Sequence, residues 1–249
     1  MLCSSFKQNH ELFKPDQLLP SSWDFFAWNI LWQGELLDWG LGLWNAIFLS
    51  FGQTLLAAAL GFAFAFHIHF SHGIKKSVQT LLAVAAVLMP VQVMAIPLVN
   101  IAQKLNLYDH HLSVLLAGSA SGLGVLYFIQ AFKRIPQALL DAAVIDGASH
   151  RHLFVMFFHE SKAHVLGFLL LHFMLSWHAH LLPLLLLHTE QQLPLPLSMR
   201  SLLDSSLQFP RAVLMAASIV LISPPLAFFV LGYKSLKLSL TAVLTDSDG

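Results

Sequence analysis

PQALLDAAVIDGASHRHLFVMFF, residues 136–158, is the stretch on which the fold turns. It carries Asp141, Asp146, His150, Arg151 and His152. That is too much charge for a transmembrane helix, which needs about 20 mostly apolar residues. Pro136 suits the first turn of a helix, and QALLDAAVID is rich in helix formers. Gly147 tolerates the left-handed backbone at a helix C-terminus, and Ser149 can cap a second helix. In that second helix Leu153, Met156 and Phe157 fall at i, i+3 and i+4 and share a face, which Phe154 and Phe158 widen. The pattern predicts two short helices joined at Gly147, outside the bilayer. By local pattern alone, the segment is an interfacial amphipathic loop or a docking site. Ala142 and Ala143 leave a shallow surface that another protein can approach closely.

Outward from this stretch the chain is apolar. Of 249 residues 57% are hydrophobic and 10% charged, with a mean hydropathy of +0.69. A soluble domain carries about 25% charged residues, so the composition reads as that of a membrane protein. Five runs lack Asp, Glu, Lys and Arg: Trp39–Ile74, Ser77–Gln103, His110–Phe132, Ala163–Thr189 and Ala212–Tyr233. Their predicted spanning cores are 43–66, 79–101, 112–132, 165–187 and 213–232. The runs are continuously apolar rather than alternating, which argues against a β-barrel. The expected fold is an all-α polytopic membrane protein with five transmembrane helices.

Placing segments 67–76 and 133–162 and the tail after Tyr233 on one side gathers Lys75, Lys76, Lys133, Arg134, Arg151, Lys162, Lys234 and Lys237 there. The other side holds Lys7, Lys14, Lys104, Arg200 and Arg211. The first side is then cytoplasmic by the positive-inside rule. Three parts follow: an extracytoplasmic or interfacial N-terminal segment, 1–42; a transmembrane domain, 43–233, with a cytoplasmic loop at 133–162; and a cytoplasmic tail, 234–249. Trp23, Trp28, Trp32 and Trp39 mark the first part as interfacial, with room for a short helix on the membrane. An N-terminal segment outside with no span before it implies either unaided export or a further span upstream.

Charged groups of the two signs balance at 13 each, so nothing points to nucleic acid. Cys3 is the sole cysteine, which rules out an intrachain disulfide. Pro90 and Pro97, in LMPVQVMAIPL, predict a bent helix that is either ordinary for a membrane span or part of a gate. Gly118 and Gly122 form a small-xxx-small pair for close helix packing. Pro224 and Pro225 predict a kink in the last span. Fourteen histidines raise a metal site as an alternative. The groups His67/His69/His72, His150/His152, His110/His111 and His178/His180 are scattered over both sides, and no HExxH motif is present. Of these, His172, His178 and His180 lie in or near the fourth span, where they could line a translocation path.

The stretch from Asp141 resembles the EAA loop of the permease subunits of binding-protein-dependent ABC importers. Asp141, Ala142 and Ala143 take the place of Glu-Ala-Ala, with Gly147 at the family spacing. IDGAS, FKRIPQALLDAA, the segment LMPVQVMAIPLVNIAQKLNLYDHHLSVLL, SWHAHLLPLLLL, QQLPLPLSMRSL, SPPLAFFVL and GYKSLKLSLTA are similar to the carbohydrate-uptake branch. The resemblance covers the chain from about Phe13 to Val243. It implies an ATP-driven importer for a sugar or a related solute such as a polyol or glycerol phosphate. Asp141, Ala142, Ala143 and Gly147 would contact a separate ATPase dimer, in a coupling loop that also contains Asp146, Ala148, Ser149, Leu153 and Phe157. Pro90, Pro97, Trp177 and His178 would border the translocation path or gate. The implied partners are a second permease, the ATPase dimer, an extracytoplasmic solute-binding protein and the bilayer of a bacterial inner membrane. No Walker A loop is present, so ATP and magnesium would be held by the ATPase, and this chain would bind no cofactor and no metal.

The chain departs from the family pattern in four ways. Five spans stand where six are usual, Asp141 replaces Glu, His159-Glu160 replaces the closing Leu-Pro, and His178 replaces Asn after Trp177. The third change lets the second loop helix run on. Two alternatives follow: a membrane-embedded, histidine-rich metalloenzyme, or a non-transporting paralogue of the permease.

Overall fold

The computed structural model describes residues 2–8, 11, 19–33, 38–204 and 211–245, with side chains at 200–204 and 234–245 outside that description. Lys14 therefore lies outside the described residues, as do the side chains of Arg200, Lys234 and Lys237. The described residues form twelve α-helices and two short 3-10 turns, with no strand among them.

The first helix, α1 (Phe26–Gln33), is too short to span. It buries Ala27 and Leu31 against Ala212, Val213, Ala216 and Ala217 at the start of the last helix, α12 (Arg211–Thr245). The described part of the N-terminal segment thus packs on one end of the bundle through a short helix that carries Trp28 and Trp32. At the centre lies α2 (Trp39–His69), capped by the Asp38 carboxylate on the Leu41 amide. It packs on α5 (His111–Ser119), α6 (Gly122–Phe132) and α9 (Lys162–His178). A Cβ on Gly61 would lie 2.9 Å from the Gly124 carbonyl carbon, so the backbones of α2 and α6 meet at these glycines.

Two helices, Trp39–His69 and Arg211–Tyr233 of α12, are each long and apolar enough to cross a membrane. Three bent pairs bring the number to five if each pair is one span. The span expected at 79–101, bent at its prolines, is turned far more sharply than a kink. It is α3 (Gly73–Leu88) followed by α4 (Val91–Lys104), turned by 99°. Met89 is extended, as the residue before a proline tends to be, and Pro90 becomes the N-cap of α4. Pro97 stays inside α4. The expected 112–132 span is α5 and α6, bent by 41° where Ser121 caps α6 through the Gly124 amide.

The expected 165–187 span ends early. After His178, α9 gives way to a separate short helix, α10 (Leu181–Leu186). Pro183 explains the break, because a proline cannot bond to the carbonyl four residues back, at Ala179, and clashes with it. The α11 helix (Leu195–Asp204) lies against α2 before the chain enters α12. That last helix runs on through Pro224 and Pro225. The hydroxyl of Ser223 donates to the Val220 carbonyl at 2.8 Å, which is the acceptor that Pro224 leaves without its helical N–H.

Gly118 and Gly122 are both close-packing positions, but for different neighbours. A Cβ on Gly118 would meet the Gln53 side chain at 2.4 Å, and one on Gly122 would meet the Ala83 carbonyl oxygen at 2.5 Å. The break between α5 and α6 turns one glycine to α2 and the other to α3.

Candidate functional site

The 133–162 segment projects from the end of the bundle where α2 ends, α3 begins and α6 ends. Helix α7 (Gln137–Ile145) follows Pro136, which is the N-cap rather than the first helical residue. The end of α7 is a Schellman motif. Asp146 is the C-cap, and Gly147 follows with φ +73°. Ala148 N–H donates to the Ala143 carbonyl at 2.9 Å and Gly147 N–H to the Val144 carbonyl at 3.0 Å. A Cβ on Gly147 would meet nothing within 4 Å, so conformation rather than space selects glycine. Ser149 then caps α8 (His150–Glu160) through the His152 amide and faces His152 Nδ1 at 3.0 Å. The helix runs through His159 and Glu160, and a 69° bend at Ser161 leads into α9.

The two loop helices have opposite characters. Helix α7 buries none of its residues. Val144 is 57% exposed and Ile145 84%, and Asp141 is held only by Gln137 one turn earlier, at 2.9 Å. Helix α8, by contrast, buries Leu153 and Phe157. The Phe157 ring lies 5.0 Å from Phe132 and 5.4 Å from Phe66, both edge-on, and 5.0 Å from His69. Each edge-to-face pair contributes about 0.5–1.5 kcal/mol beyond burial. Leu153 and Phe157 therefore fix the loop to the bundle, while Asp141, Ala142, Asp146, Gly147 and Ser149 face outward.

At the opposite end, Trp177, His178, His180, Leu184, Pro196, Leu197, Leu221, Ile222 and Pro225 line a cavity of about 320 Å³. Trp177 is buried against Phe173. His178 is exposed, and its Nδ1 bonds the Met174 carbonyl at 2.8 Å. Pro90 and Pro97 are not in this lining. They belong to the bent α3–α4 pair, on its exposed side. His172 lies in the core, buried beside Phe168 and 3.4 Å from Thr54 Oγ1.

Nothing in the local sequence pattern marked Gln53, yet it is 4% exposed and ties three helices together. Its Nε2 donates to the Val114 carbonyl of α5 at 3.1 Å, and its Oε1 accepts from Ser176 of α9 at 2.5 Å. The available signal was a lone glutamine in an otherwise apolar run, where a buried amide must find partners. Among the described residues no group of three His, Cys, Asp or Glu could hold a metal ion. The histidine-rich alternative therefore has no site among them.

A bundle of broken spans carrying a two-helix loop at one end is the architecture of an importer permease, and sequence comparison agrees. Residues 57–237 match the family described as the inner membrane component of binding-protein-dependent transport systems, and the chain belongs to that family. The sn-glycerol-3-phosphate transport system permease protein UgpE of Yersinia enterocolitica is 26% identical over 196 residues, 77% of this chain and 69% of that relative. The lactose transport system permease protein LacG of Rhizobium radiobacter is 27% identical over 147 residues, 57% of this chain and 52% of that relative. The fold matches a chain of a bacterial ABC transporter involved in import of the acidic polysaccharide alginate, with a TM-score of 0.80 at 17% identity. That match covers 94% of this chain and 87% of the other. The chain is thus a transport subunit of the inner membrane rather than an enzyme, in a family that works with an ATPase and a solute-binding protein.

Proposed function

We propose that this chain is one of two permease subunits, paired as a heterodimer, of an importer for a sugar or a sugar-related solute such as a polyol or glycerol phosphate. Support for the solute class comes from relatives named for sn-glycerol 3-phosphate and lactose. The observation that carries the mechanism is the contrast within the loop: α8 is anchored by two buried side chains, and α7 leaves an apolar surface uncovered. A helix that exposes Ile145 at 84% fits a cleft on another subunit. On this reading Asp141, Ala142, Ala143, Asp146, Gly147, Ala148 and Ser149 form the surface gripped by the ATPase, which holds ATP and magnesium. Leu153 and Phe157 carry its motion into the bundle.

The end bearing α7 is then cytoplasmic. Lys75, Lys76, Lys133, Arg134, Arg151 and Lys162 cluster in the segments that make up that end, in keeping with the positive-inside rule. The tail after α12 falls on the same side, the N-terminal segment outside. The cavity at Trp177 and His178 borders the solute path, and the bend at Pro90 shapes its gate.

Ile145→Asp tests this reading. The side chain meets water in the isolated chain, so the variant folds, but it should lose the co-purifying ATPase and the uptake of labelled lactose and sn-glycerol 3-phosphate. A variant complex that keeps both would refute the coupling role of α7. Failure of the unmodified complex to take up any of a panel of labelled sugars, polyols and glycerol phosphate would refute the solute class.

A further inference from the structure

At the outer end of the bundle, Asp109 lies in the turn between α4 and α5 with φ +57°, a left-handed backbone that Asp tolerates. Its N–H donates to the Leu186 carbonyl at 2.9 Å. Its carboxylate accepts the His188 N–H at 2.7 Å, the Thr189 N–H at 3.1 Å and the Thr189 hydroxyl. The Tyr108 hydroxyl bonds His188 Nε2, and His111 Nε2 donates to the Gln192 carbonyl at 2.9 Å. From α2, Asn45 Nδ2 donates to the carbonyls of Gln191 at 2.8 Å and Leu193 at 3.2 Å.

All of these bonds converge on residues 186–193, which hold only the end of α10 and a 3-10 turn of their own. Leu184 precedes that segment and Pro196 follows it, and both line the cavity beside Trp177 and His178. Fixing the segment therefore fixes the spacing of two cavity walls. Asp109 supplies four of its bonds, from a neighbouring loop 80 residues away in sequence from Thr189.

We propose that Asp109 is a positioning residue for solute passage, whose carboxylate latches the 186–193 segment and so sets the shape of the outer cavity. The proposal rests on the reading above that this cavity borders the solute path.

The test places a cysteine at Leu184 in a Cys3→Ser background. Its labelling by a membrane-impermeant maleimide is then measured in the assembled complex in lipid nanodiscs. Asp109→Gly removes the carboxylate and tolerates the left-handed backbone; Asp109→Asn keeps the oxygen that accepts both backbone N–H groups. Labelling should rise at least about fivefold in Asp109→Gly, the scale of a single net hydrogen bond where three are lost, and return to the parent rate in Asp109→Asn. The apparent KM for lactose or sn-glycerol 3-phosphate uptake should rise with Gly and recover with Asn, at constant ATPase content. Equal labelling in all three backgrounds overturns the latch. Altered labelling with unchanged uptake kinetics leaves the latch standing and overturns the placement of the cavity on the path. Should Asp109→Gly fail to assemble, Thr189→Val removes one bond and must move labelling in the same direction, or the proposal fails.

Discussion

Replacing Gly147 separates the conformation of the coupling loop from its contact with a partner. The glycine has φ +73°, and a Cβ placed there meets no atom within 4 Å. Inside this chain, then, a side chain at 147 costs only the left-handed backbone, about 1–2 kcal/mol. That amounts to a factor of roughly 5–30 in the population of the α7–α8 turn. Gly147→Ala carries this cost with almost no added bulk. Gly147→Asn has a milder cost, because Asn visits the left-handed region readily. Gly147→Trp has the cost of Ala plus a large side chain that starts from a Cβ in open space. Co-purification of the ATPase with the tagged permease, followed by uptake, should rank the variants Gly, Asn, Ala, Trp. Thermal unfolding of the permease alone should place Trp beside Ala. The difference between Trp and Ala in ATPase binding therefore reports the partner surface, free of the backbone term. If Trp binds ATPase as well as Ala does, residue 147 does not face the ATPase and the coupling reading fails.

Three other predictions follow from packing and charge. Gly122→Ala should lower the melting temperature of the detergent-solubilised protein, since its Cβ would sit 2.5 Å from the rigid Ala83 carbonyl, an overpacking cost of about 1–3 kcal/mol; an unchanged melting temperature would mean that α3 moves freely away from α6. Phe157→Ala should cost about 3–5 kcal/mol and raise hydrogen exchange over 149–160, because Phe157 is fully buried among Phe66, Phe70 and Phe132; unchanged exchange would show that another contact holds α8. Hydrogen bonds from the His188 N–H first, then from the Thr189 hydroxyl and N–H, hold the Asp109 carboxyl below its ordinary value. A depressed carboxyl stabilises above its unfolded value and loses that contribution only as pH falls through the folded one. Amide protection of 186–193, corrected for intrinsic exchange, should thus stay level from about pH 8 to about pH 5 and fall only below the ordinary carboxyl range near 4; a drop well above that range would refute the carboxylate as the group that holds the segment.

The two-helix shape of the 133–162 loop was legible because its determinants are local. A proline, a glycine and a serine set three helix boundaries within 14 residues, and the spacing of Leu153 and Phe157 fixed the buried face. The spans were legible as apolar runs, and a bend at the prolines of LMPVQVMAIPL was expected, but neither its size nor the break before α10 was. A count of apolar residues passes over Pro90 and Pro183 alike, although one turns a helix pair by 99° and the other ends α9 at His178. Pro97 shows why inspection did not settle the matter, for it sits inside α4 without ending it. The polar ties were out of reach for another reason. Gln53 meets Ser176 across 123 residues, and Asp109 meets Thr189 across 80. Such pairings have no period or spacing to detect, and only the fold brings them together.

On the proposed reading, those long-range ties carry motion between the two ends of the molecule. Helix α9 starts at the Ser161 bend beneath the 133–162 loop and ends at Trp177 and His178 in the cavity at the opposite end. Seventeen helical residues span about 25 Å, so one rigid element joins the two regions. Its last turn is tied to α2 through Gln53 and Ser176, and its first turns lie below α8, which Phe157 locks onto α2. On that reading, a displacement of α7 passes to the bundle through α8, whose Leu153 and Phe157 are buried against it. The 186–193 segment is held by Asp109 from the turn between α4 and α5 and by Asn45 from α2, so it is tied to both. On the proposed reading, the α8 anchor transmits the motion and the Asp109 latch sets the shape of the cavity that receives it.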